Sequence, residues 1–244
     1  ELATAVDGRF SYRHVPPKPS PWQGPWRKTK RDYYDLNGAR NTALALARGH
    51  YVFFFDDCTV LDREYLLWHW QMARRGVACA GAFRSYTTAT VKDGTLVEGV
   101  LHPSGEDSRD KGAIVKAPGG WLYGLNMGFP LSAALRVNGF DEMYSGQGGS
   151  DDVEFGVRLE RSGVQVFHNP YCRINQILEH HEPVCETATW GEPQVRPQKE
   201  RVLKCDGKSH FANEFLIQEL GADPERTQPR GNDFNLTQLR RLVL

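Results

Sequence analysis

Two pairs of adjacent aspartates could do chemistry in this sequence. Asp56 and Asp57 directly follow the apolar run 51–55, and Asp151 and Asp152 follow a glycine-rich turn. Neighbouring carboxylates repel each other unless a cation or a hydrogen-bond network compensates their charge. Mg²⁺ and Mn²⁺ take such oxygen ligands and keep positions open for water and phosphate. The first pair therefore predicts a divalent metal site; the alternative is a pair of loop-starting aspartates, one of which caps the next turn.

The second acidic pair lies where we expect the first turn of a helix. Although the following apolar residues alternate as in a strand, Asp151 and Glu154 have the spacing of a capping box, and Gly163 can end a helix. Free N–H groups and the helix dipole at such a start lower the pKa of a carboxylate. An ionised Asp151 or Asp152 in a cleft could accept a proton from a hydroxyl group. The alternative is that both aspartates only cap the helix.

A third candidate is the adjacent pair His180 and His181. A neutral imidazole can complete the coordination of a metal ion that aspartates already hold. Adjacent side chains point in different directions on most backbones, so we expect only one of the two histidines to serve. Taken alone, the pair does not predict a metal site.

The cysteines indicate neither a zinc ribbon nor a redox centre. No two of them form a C-x-x-C pair, and their number is odd: Cys58, Cys79, Cys172, Cys185 and Cys205. Scattered single cysteines in a chain that can build its own core suit a reducing compartment. We therefore expect a cytoplasmic protein; a secreted or Golgi-lumenal protein with one or two disulfides is the alternative.

Composition restricts the class of protein further. The chain has 244 residues, 40% of them hydrophobic, with 30 basic and 30 acidic side chains and a formal net charge of zero. A chain of this length can bury about 70% of its unfolded surface, so we expect a sizeable core. Zero net charge argues against nucleic-acid binding without sequence preference. The apolar runs are far shorter than the roughly 20 residues of a membrane span, so we expect no such span.

The segment around the first acidic pair has the pattern of an α/β fold. Apolar residues recur at helical spacing from Asn37, and Gly49 stands where a helix would end. The aromatic run Tyr51–Phe55 predicts a strand buried on both faces, as in parallel sheets. A second helix, capped by Asp62, and a second buried strand over 77–83 repeat this order.

Two other segments bear on how the fold is organised. Lys92-Asp93-Gly94, between two strand-like runs, predicts a hairpin turn. The proline-rich first part of the chain forbids regular structure, so we expect an extended connector docked by Trp22 and Trp26, or else a basic loop beside an anionic ligand.

Together these motifs resemble the GT-A glycosyltransferases of family 2. NGARN at 37–41, leading into YVFFFDDC at 51–58, looks like their helix, strand and metal-binding acidic motif. GFDE at 139–142 and GGSDDVEFGVRL at 148–159 resemble a galactosyltransferase-type C-terminal motif, in which an acidic pair opens a helix. The resemblance implies a Rossmann-like mixed sheet flanked by helices. Before Asn37 it offers no counterpart of the usual N-terminal nucleotide-binding units.

The resemblance also assigns roles to residues. It implies Asp57 as the ligand of Mn²⁺ or Mg²⁺, with Asp56 as its neighbour or co-ligand. A histidine of the 180–181 pair would be a further ligand. Asp152 matches the catalytic base, and Asp151 matches the acidic position before it. The implied donor- and acceptor-binding residues are Arg40, Asn41, Gly120, Trp121, Asn126, Gly148 and Gly149.

Two positions within the resemblance need comment. Trp121 could stack on the face of a sugar, with a core tryptophan as the alternative. Phe55 stands where many relatives carry an acidic residue before the aspartate pair.

The predicted function is transfer of a sugar from a nucleotide-sugar donor, a UDP-sugar by resemblance, to a carbohydrate or other hydroxyl acceptor with inversion. A catalytically silent carbohydrate- or nucleotide-binding module is the alternative from another class, and metal-dependent nucleotidyl transfer is a third. Residues 1–36 are then a basic, proline-rich segment, 37–205 a GT-A-like catalytic domain, and 206–244 a C-terminal helical segment.

Overall fold

The computed structural model of the chain describes residues 14–16, 18–20, 22–26, 35–145, 150–178, 193–195, 200–202 and 220–244. The α-helices within these ranges are α1 Leu36–Leu46, α2 Tyr65–Arg74, α3 Leu131–Arg136, α4 Asp151–Arg161 and α5 Leu236–Val243. The strands are β1 Tyr51–Phe55, β2 Thr59–Leu61, β3 Ala78–Lys92, β4 Thr95–Glu106, β5 Val115–Ala117, β6 Asn126–Pro130, β7 Val166–Ile177, β8 Pro193–Val195 and β9 Glu200–Val202. Short 3-10 helices cover Gly24–Trp26, Gly119–Trp121 and Glu142–Tyr144.

Most of the described strands form one mixed sheet. Its order is β1-β6-β3-β7-β2, with β4 paired to β3 and β5 paired to β7. The β3 and β7 pair is parallel, whereas β6 is antiparallel to both of its neighbours, β1 and β3. Strands β1 and β3 therefore run in the same direction with β6 inserted between them. The predicted mixed α/β sheet flanked by helices is confirmed.

Apolar clusters cover the two faces of this sheet. Because side chains alternate along a strand, Ala78 and Ala80 of β3 face one cluster and Cys79 faces the other. The larger cluster brings in α1, α3, α4 and α5, and its aromatic centre is a stack of Phe140 and Phe155 with ring centroids 4.0 Å apart. The smaller cluster lies under α2, which contributes Met72. Helix α4, which carries the second acidic pair, is thus fixed to one face of the sheet.

Strand β1 has the predicted bounds but not the predicted environment. It lies at an edge of the sheet and pairs with β6 in antiparallel register, from Tyr51 opposite Pro130 to Phe55 opposite Asn126. Its side chains are mostly half-buried, and that of Phe55 is exposed. The expectation of a strand buried on both faces in parallel pairing is wrong because β6, from a distant part of the chain, separates β1 from β3.

The predicted hairpin turn at Asp93 and Gly94 is confirmed, and the predicted cap of α2 by Asp62 is wrong. Asp93 and Gly94 have φ values of 50° and 72°, as a tight hairpin between β3 and β4 requires. Helix α2 begins after Glu64, which makes no side-chain cap. Asp62 does not cap this helix with its side chain, because its Oδ1 accepts a hydrogen bond from the Asn175 amide of β7 at 2.7 Å.

Helix α4 is confirmed, but the expected capping box is wrong. Ser150 is the residue before the helix and has a φ of 66°. Its side chain makes no capping hydrogen bond. Glu154 instead pairs with Arg158 through two hydrogen bonds of 2.6 and 2.8 Å, and both side chains are fully buried. The carboxylate therefore points into the core, because a buried guanidinium competes for it more strongly than a backbone N–H.

The proline-rich segment docks through one of its two tryptophans. Trp22 is buried, and its indole N–H donates to the Glu142 carbonyl at 3.0 Å. Lys18 forms an ion pair with the Glu142 carboxylate at 2.8 Å. Trp26 is 66% exposed, so its predicted docking role is wrong.

Among the helices described for this chain, none has both the length and the apolarity to span a membrane.

Candidate active site

The first acidic pair lies where the chain leaves β1 and turns into β2. The Asp56 N–H donates to the Leu125 carbonyl at 3.1 Å and so extends the pairing of β1 with β6. The Asp56 carboxylate is half-buried, with Oδ2 3.5 Å from the Gln176 amide nitrogen of β7. Asp57 is exposed, and its Oδ1 accepts a hydrogen bond from the Cys58 N–H at 2.9 Å. Of the two, Asp57 presents its carboxylate to solvent.

The second acidic pair opens α4, and its two carboxylates have different partners. Asp151 is buried and forms an ion pair with Arg40 of α1. Asp152 is half-buried. Its Oδ2 accepts a hydrogen bond from the Gly124 N–H at 2.6 Å, and its Oδ1 accepts one from the Val153 N–H at 2.8 Å. Arg40 therefore compensates Asp151 directly, while backbone N–H groups orient Asp152.

A short loop, residues 123–125, holds the two acidic pairs together. Gly124 donates to Asp152, and Leu125, the next residue, accepts from Asp56. Standard backbone dimensions therefore keep the Asp56 nitrogen within roughly 13 Å of the Asp152 carboxylate. The Arg40 guanidinium packs on Gly124 so closely that any Cβ there would clash with it. Two motifs that are distant in the chain thus lie near each other in space.

The pKa of Asp152 is raised to about 6. Burial is the main cause, and the charge of Asp151 raises the pKa further. The Gly124 N–H and the Arg40 charge lower it and offset part of this effect. The sequence predicts a lowered pKa at this helix start, and for Asp152 that prediction is wrong. Burial and a neighbouring anion together outweigh the helix N-terminus.

Two asparagines predicted to bind donor or acceptor are fully buried and internally hydrogen-bonded. The Asn41 side chain donates to the Phe140 carbonyl at 2.9 Å and accepts from the Phe140 N–H at 2.8 Å. The Asn126 amide donates to the carbonyls of Ala82 and Cys172, both at 2.7 Å. Both side chains therefore connect elements of the scaffold beneath the acidic pairs, and their contact with a ligand stays a prediction.

Gly120 and Trp121 lie in the 3-10 helix that leads into the 123–125 loop. The neighbouring Gly119 meets Gly156 of α4 backbone to backbone, so a Cβ on either residue would clash with the other. Trp121 is half-buried and packs edge-on against His168 with ring centroids 5.8 Å apart. This contact seats Trp121 on the core beside the loop, and sugar stacking by its ring stays a prediction.

A buried ion pair that no sequence pattern indicates supports the loop. Arg109 makes hydrogen bonds of 2.8 and 2.7 Å to the Asp107 carboxylate, and its guanidinium lies 3.9 Å from the centroid of the Tyr123 ring. It also donates to the carbonyl of Trp121. Although burial alone would raise the pKa of Asp107, hydrogen bonds from His168 and Arg109 hold it below its usual range. The polar stretch before β5 carries no signal of this pairing, which depends on β3 and β7.

Four predicted site residues lie outside the part of the chain that the structure describes: His180, His181, Gly148 and Gly149. Their roles as metal ligands and donor-binding residues stay predictions. The described residues nearest to the two glycines are Ser145 and Ser150, on either side of them in sequence.

Comparison with known proteins bears on the part of the chain that carries the second acidic pair. Residues 115–182 match a family model described as the N-terminal domain of galactosyltransferase. The match begins at β5 and includes the 123–125 loop, α4 and β7. No curated protein matches the chain. The match does not distinguish family 2 from other galactosyltransferase-like families. Because of this match and the mixed sheet, we describe the chain as carrying a galactosyltransferase-like domain of GT-A-like architecture.

Proposed function

We propose that the protein is a metal-dependent glycosyltransferase that transfers a sugar from a UDP-sugar to an acceptor hydroxyl with inversion. The 123–125 loop is the observation that carries the proposal, because its adjacent residues Gly124 and Leu125 bind the Asp152 carboxylate and the Asp56 backbone N–H. The residue before the proposed cation ligand Asp57 and the proposed proton acceptor Asp152 then border the same loop. The galactosyltransferase-like match over 115–182 supports sugar transfer as the reaction class.

Asp152 has the properties of a general base for this reaction. Two backbone N–H groups hold its oxygens, and its pKa of about 6 leaves it ionised yet basic at neutral pH. In a single displacement, the acceptor hydroxyl loses its proton to Asp152 while its oxygen bonds to the anomeric carbon. The bond from that carbon to the nucleoside diphosphate breaks in the same step. Asp151, paired with Arg40, acts as a positioning residue whose charge also contributes to the raised pKa of Asp152.

Asp57 fits a divalent cation. Its carboxylate is exposed, accepts the Cys58 N–H through one oxygen, and is the hard ligand type that Mn²⁺ and Mg²⁺ prefer. Thr59 fixes the turn, because its hydroxyl donates to the Asp56 carbonyl at 2.6 Å and its N–H donates to the Asp57 carbonyl at 2.9 Å. A bound cation would offset the negative charge that develops on the leaving diphosphate. The Asp56 carboxylate would lie beside the same cation as its neighbour or co-ligand.

A donor-hydrolysis and transfer assay tests the proposal. The purified chain is incubated with a panel of nucleotide sugars, with and without Mn²⁺, and nucleoside diphosphate release is measured. We expect metal-dependent release of nucleoside diphosphate from UDP-sugars. Asp152→Asn should lower the rate of this release by roughly 10²–10⁴-fold, the contribution that a positioned base usually makes. Asp93→Asn is the matched control, because Asp93 is exposed in the hairpin turn at a φ of 50° that asparagine tolerates.

The same samples distinguish the alternative functions. Calorimetry that shows UDP-sugar binding without any turnover would contradict the enzyme and support a silent binding module. Release of pyrophosphate from a nucleoside triphosphate would instead indicate nucleotidyl transfer. If the rate of UDP-sugar turnover does not change when Mn²⁺ or a chelator is added, the metal dependence is contradicted but the sugar-transfer activity is not.

A further inference from the structure

Two cysteines and a histidine meet under α2, in the smaller apolar cluster of the sheet. The three residues are His69 of α2, Cys79 of β3 and Cys172 of β7, and all are buried. One possible ligand atom from each lies within 4.8 Å of the corresponding atoms of the other two. Because the residues come from three separate elements, no C-x-x-C spacing in the sequence reveals them.

The histidine of this group is buried without a hydrogen-bond partner of normal geometry. His69 is 1% exposed, and neither of its ring nitrogens is satisfied within the described structure. Phe53 stacks on its ring at 5.2 Å, and the ring of Tyr65 lies 4.5 Å away, both measured between centroids. These contacts prevent the imidazole from turning towards solvent. A buried polar group left in this state costs free energy, which a bound ligand would recover.

The backbone is shaped to admit this imidazole. Gly128 of β6 lies beside it, and a Cβ at that position would come within 2.7 Å of His69 Nδ1 and of the Tyr51 ring. The Tyr51 hydroxyl is also buried without a hydrogen bond, and Tyr51 packs against the cluster that contains both cysteines. A fourth buried polar group is thus present beside the two thiols and the imidazole.

We propose that His69, Cys79 and Cys172 bind a zinc ion. Zinc takes thiolate and imidazole ligands at about 2.3 and 2.0 Å, which places the ligand atoms of a tetrahedral site roughly 3.5–4 Å apart. The spacing observed here accommodates that geometry with a small contraction. The site differs in class from Asp57, since thiolates select zinc whereas carboxylates suit Mn²⁺ and Mg²⁺.

The zinc would have a structural role. All three ligands are buried, and they link α2 to two central strands of the sheet, β3 and β7. Metal binding to preformed ligands of a folded chain adds directly to its stability. Loss of the ion should therefore lower the unfolding temperature and need not remove any residue of the proposed sugar-transfer site.

Metal analysis of the whole chain tests the proposal. The protein is purified under reducing conditions without added metal, and its zinc content is measured by mass spectrometry before and after zinc is added back. We expect about one zinc per chain, as a single site of this type binds. Replacement by Co²⁺ should give a thiolate-to-cobalt charge-transfer band, which carboxylate ligands cannot produce. Cys79→Ser and His69→Gln should lose the ion and the band.

Cys58→Ser is the matched control, because Cys58 is half-buried beside Asp57 and outside this cluster. It should retain zinc and the cobalt band. The proposal is overturned if the wild-type chain holds no zinc after add-back. A disulfide between Cys79 and Cys172, found by peptide mapping of the wild-type chain, would also overturn it. Both readouts use the wild type, so they decide the question even if the cluster variants fail to fold.

Discussion

The guanidinium of Arg40 forms a buried ion pair with the carboxylate of Asp151, which lies 111 residues further along the chain. The pair fastens α1 to the first turn of α4. Arg40 also packs on Gly124, whose N–H holds the candidate base Asp152. One side chain therefore supports both the acidic helix start and the loop that approaches Asp56.

Removing the charge of Arg40 should destabilise the protein strongly. Arg40→Met keeps most of the side-chain length but leaves Asp151 as an unpaired buried anion, which typically costs about 3–5 kcal/mol. Urea unfolding measures the loss. Arg48→Met, at an exposed position, should change stability little. Adding Asp151→Asn to Arg40→Met should recover part of the loss, and a double variant with no recovery would show that the ion pair is not the cause.

Sugar transfer should depend on pH through Asp152. Because the pKa of Asp152 is about 6, its base form is lost as pH falls through that value. We expect kcat/KM to rise with pH up to about 6 to 7 and then to level off. A profile measured with Mn²⁺ in excess checks this. Residual activity of Asp152→Asn with the same pH profile would show that another group titrates.

Stability should change in the opposite direction over the same range. The folded pKa of Asp152, about 6, lies above the ordinary value of 3.8, so the folded chain binds this proton more tightly than the unfolded chain. This stabilisation is present at low pH and is lost as pH rises from about 4 to about 6. Urea unfolding of wild type and Asp152→Asn at several pH values isolates it. The difference between the two should vary with pH, and a constant difference would contradict the raised pKa.

Asp57→Asn should weaken metal-dependent donor binding. The exposed carboxylate is the proposed cation ligand, and its loss should lower Mn²⁺-dependent UDP-sugar affinity by more than roughly tenfold, judged by the effects of weaker changes around metal sites. Calorimetry with and without Mn²⁺ measures this effect. Asp93→Asn should leave affinity unchanged. An Asp57→Asn chain with full Mn²⁺-dependent affinity would remove Asp57 from the site.

Gly119→Ala should destabilise the contact between the 3-10 helix and α4. An added Cβ at Gly119 would overlap the backbone of Gly156, and backbone cannot move aside as a side chain can. Overpacking of this kind costs about 1–3 kcal/mol. Gly221→Ala, where a Cβ meets nothing within 4 Å, is the control and should be neutral. Equal unfolding midpoints for the two variants would contradict the close approach.

Local patterns were sufficient for several elements of the fold. The bounds of β1 and the positive φ values of Asp93 and Gly94 follow from residues within one strand or one turn. Predictions that involved partners were less successful. Asp62 and Glu154 have the right spacing for caps, yet Asn175 and Arg158 bind their carboxylates instead.

The sequence by itself determined the local chemistry: two aspartate pairs, one after an aromatic strand and one at a helix start, in a chain with an α/β pattern. Only the tertiary structure decided which of these groups meet. It inserted β6 between β1 and β3, brought the 123–125 loop to both pairs, raised the pKa of Asp152 and assembled His69 with two cysteines. The physical reason is the separation along the chain over which each kind of interaction acts. Turn and helix preferences act over a few neighbouring residues, whereas burial and charge pairing depend on atoms brought together from distant parts of the chain.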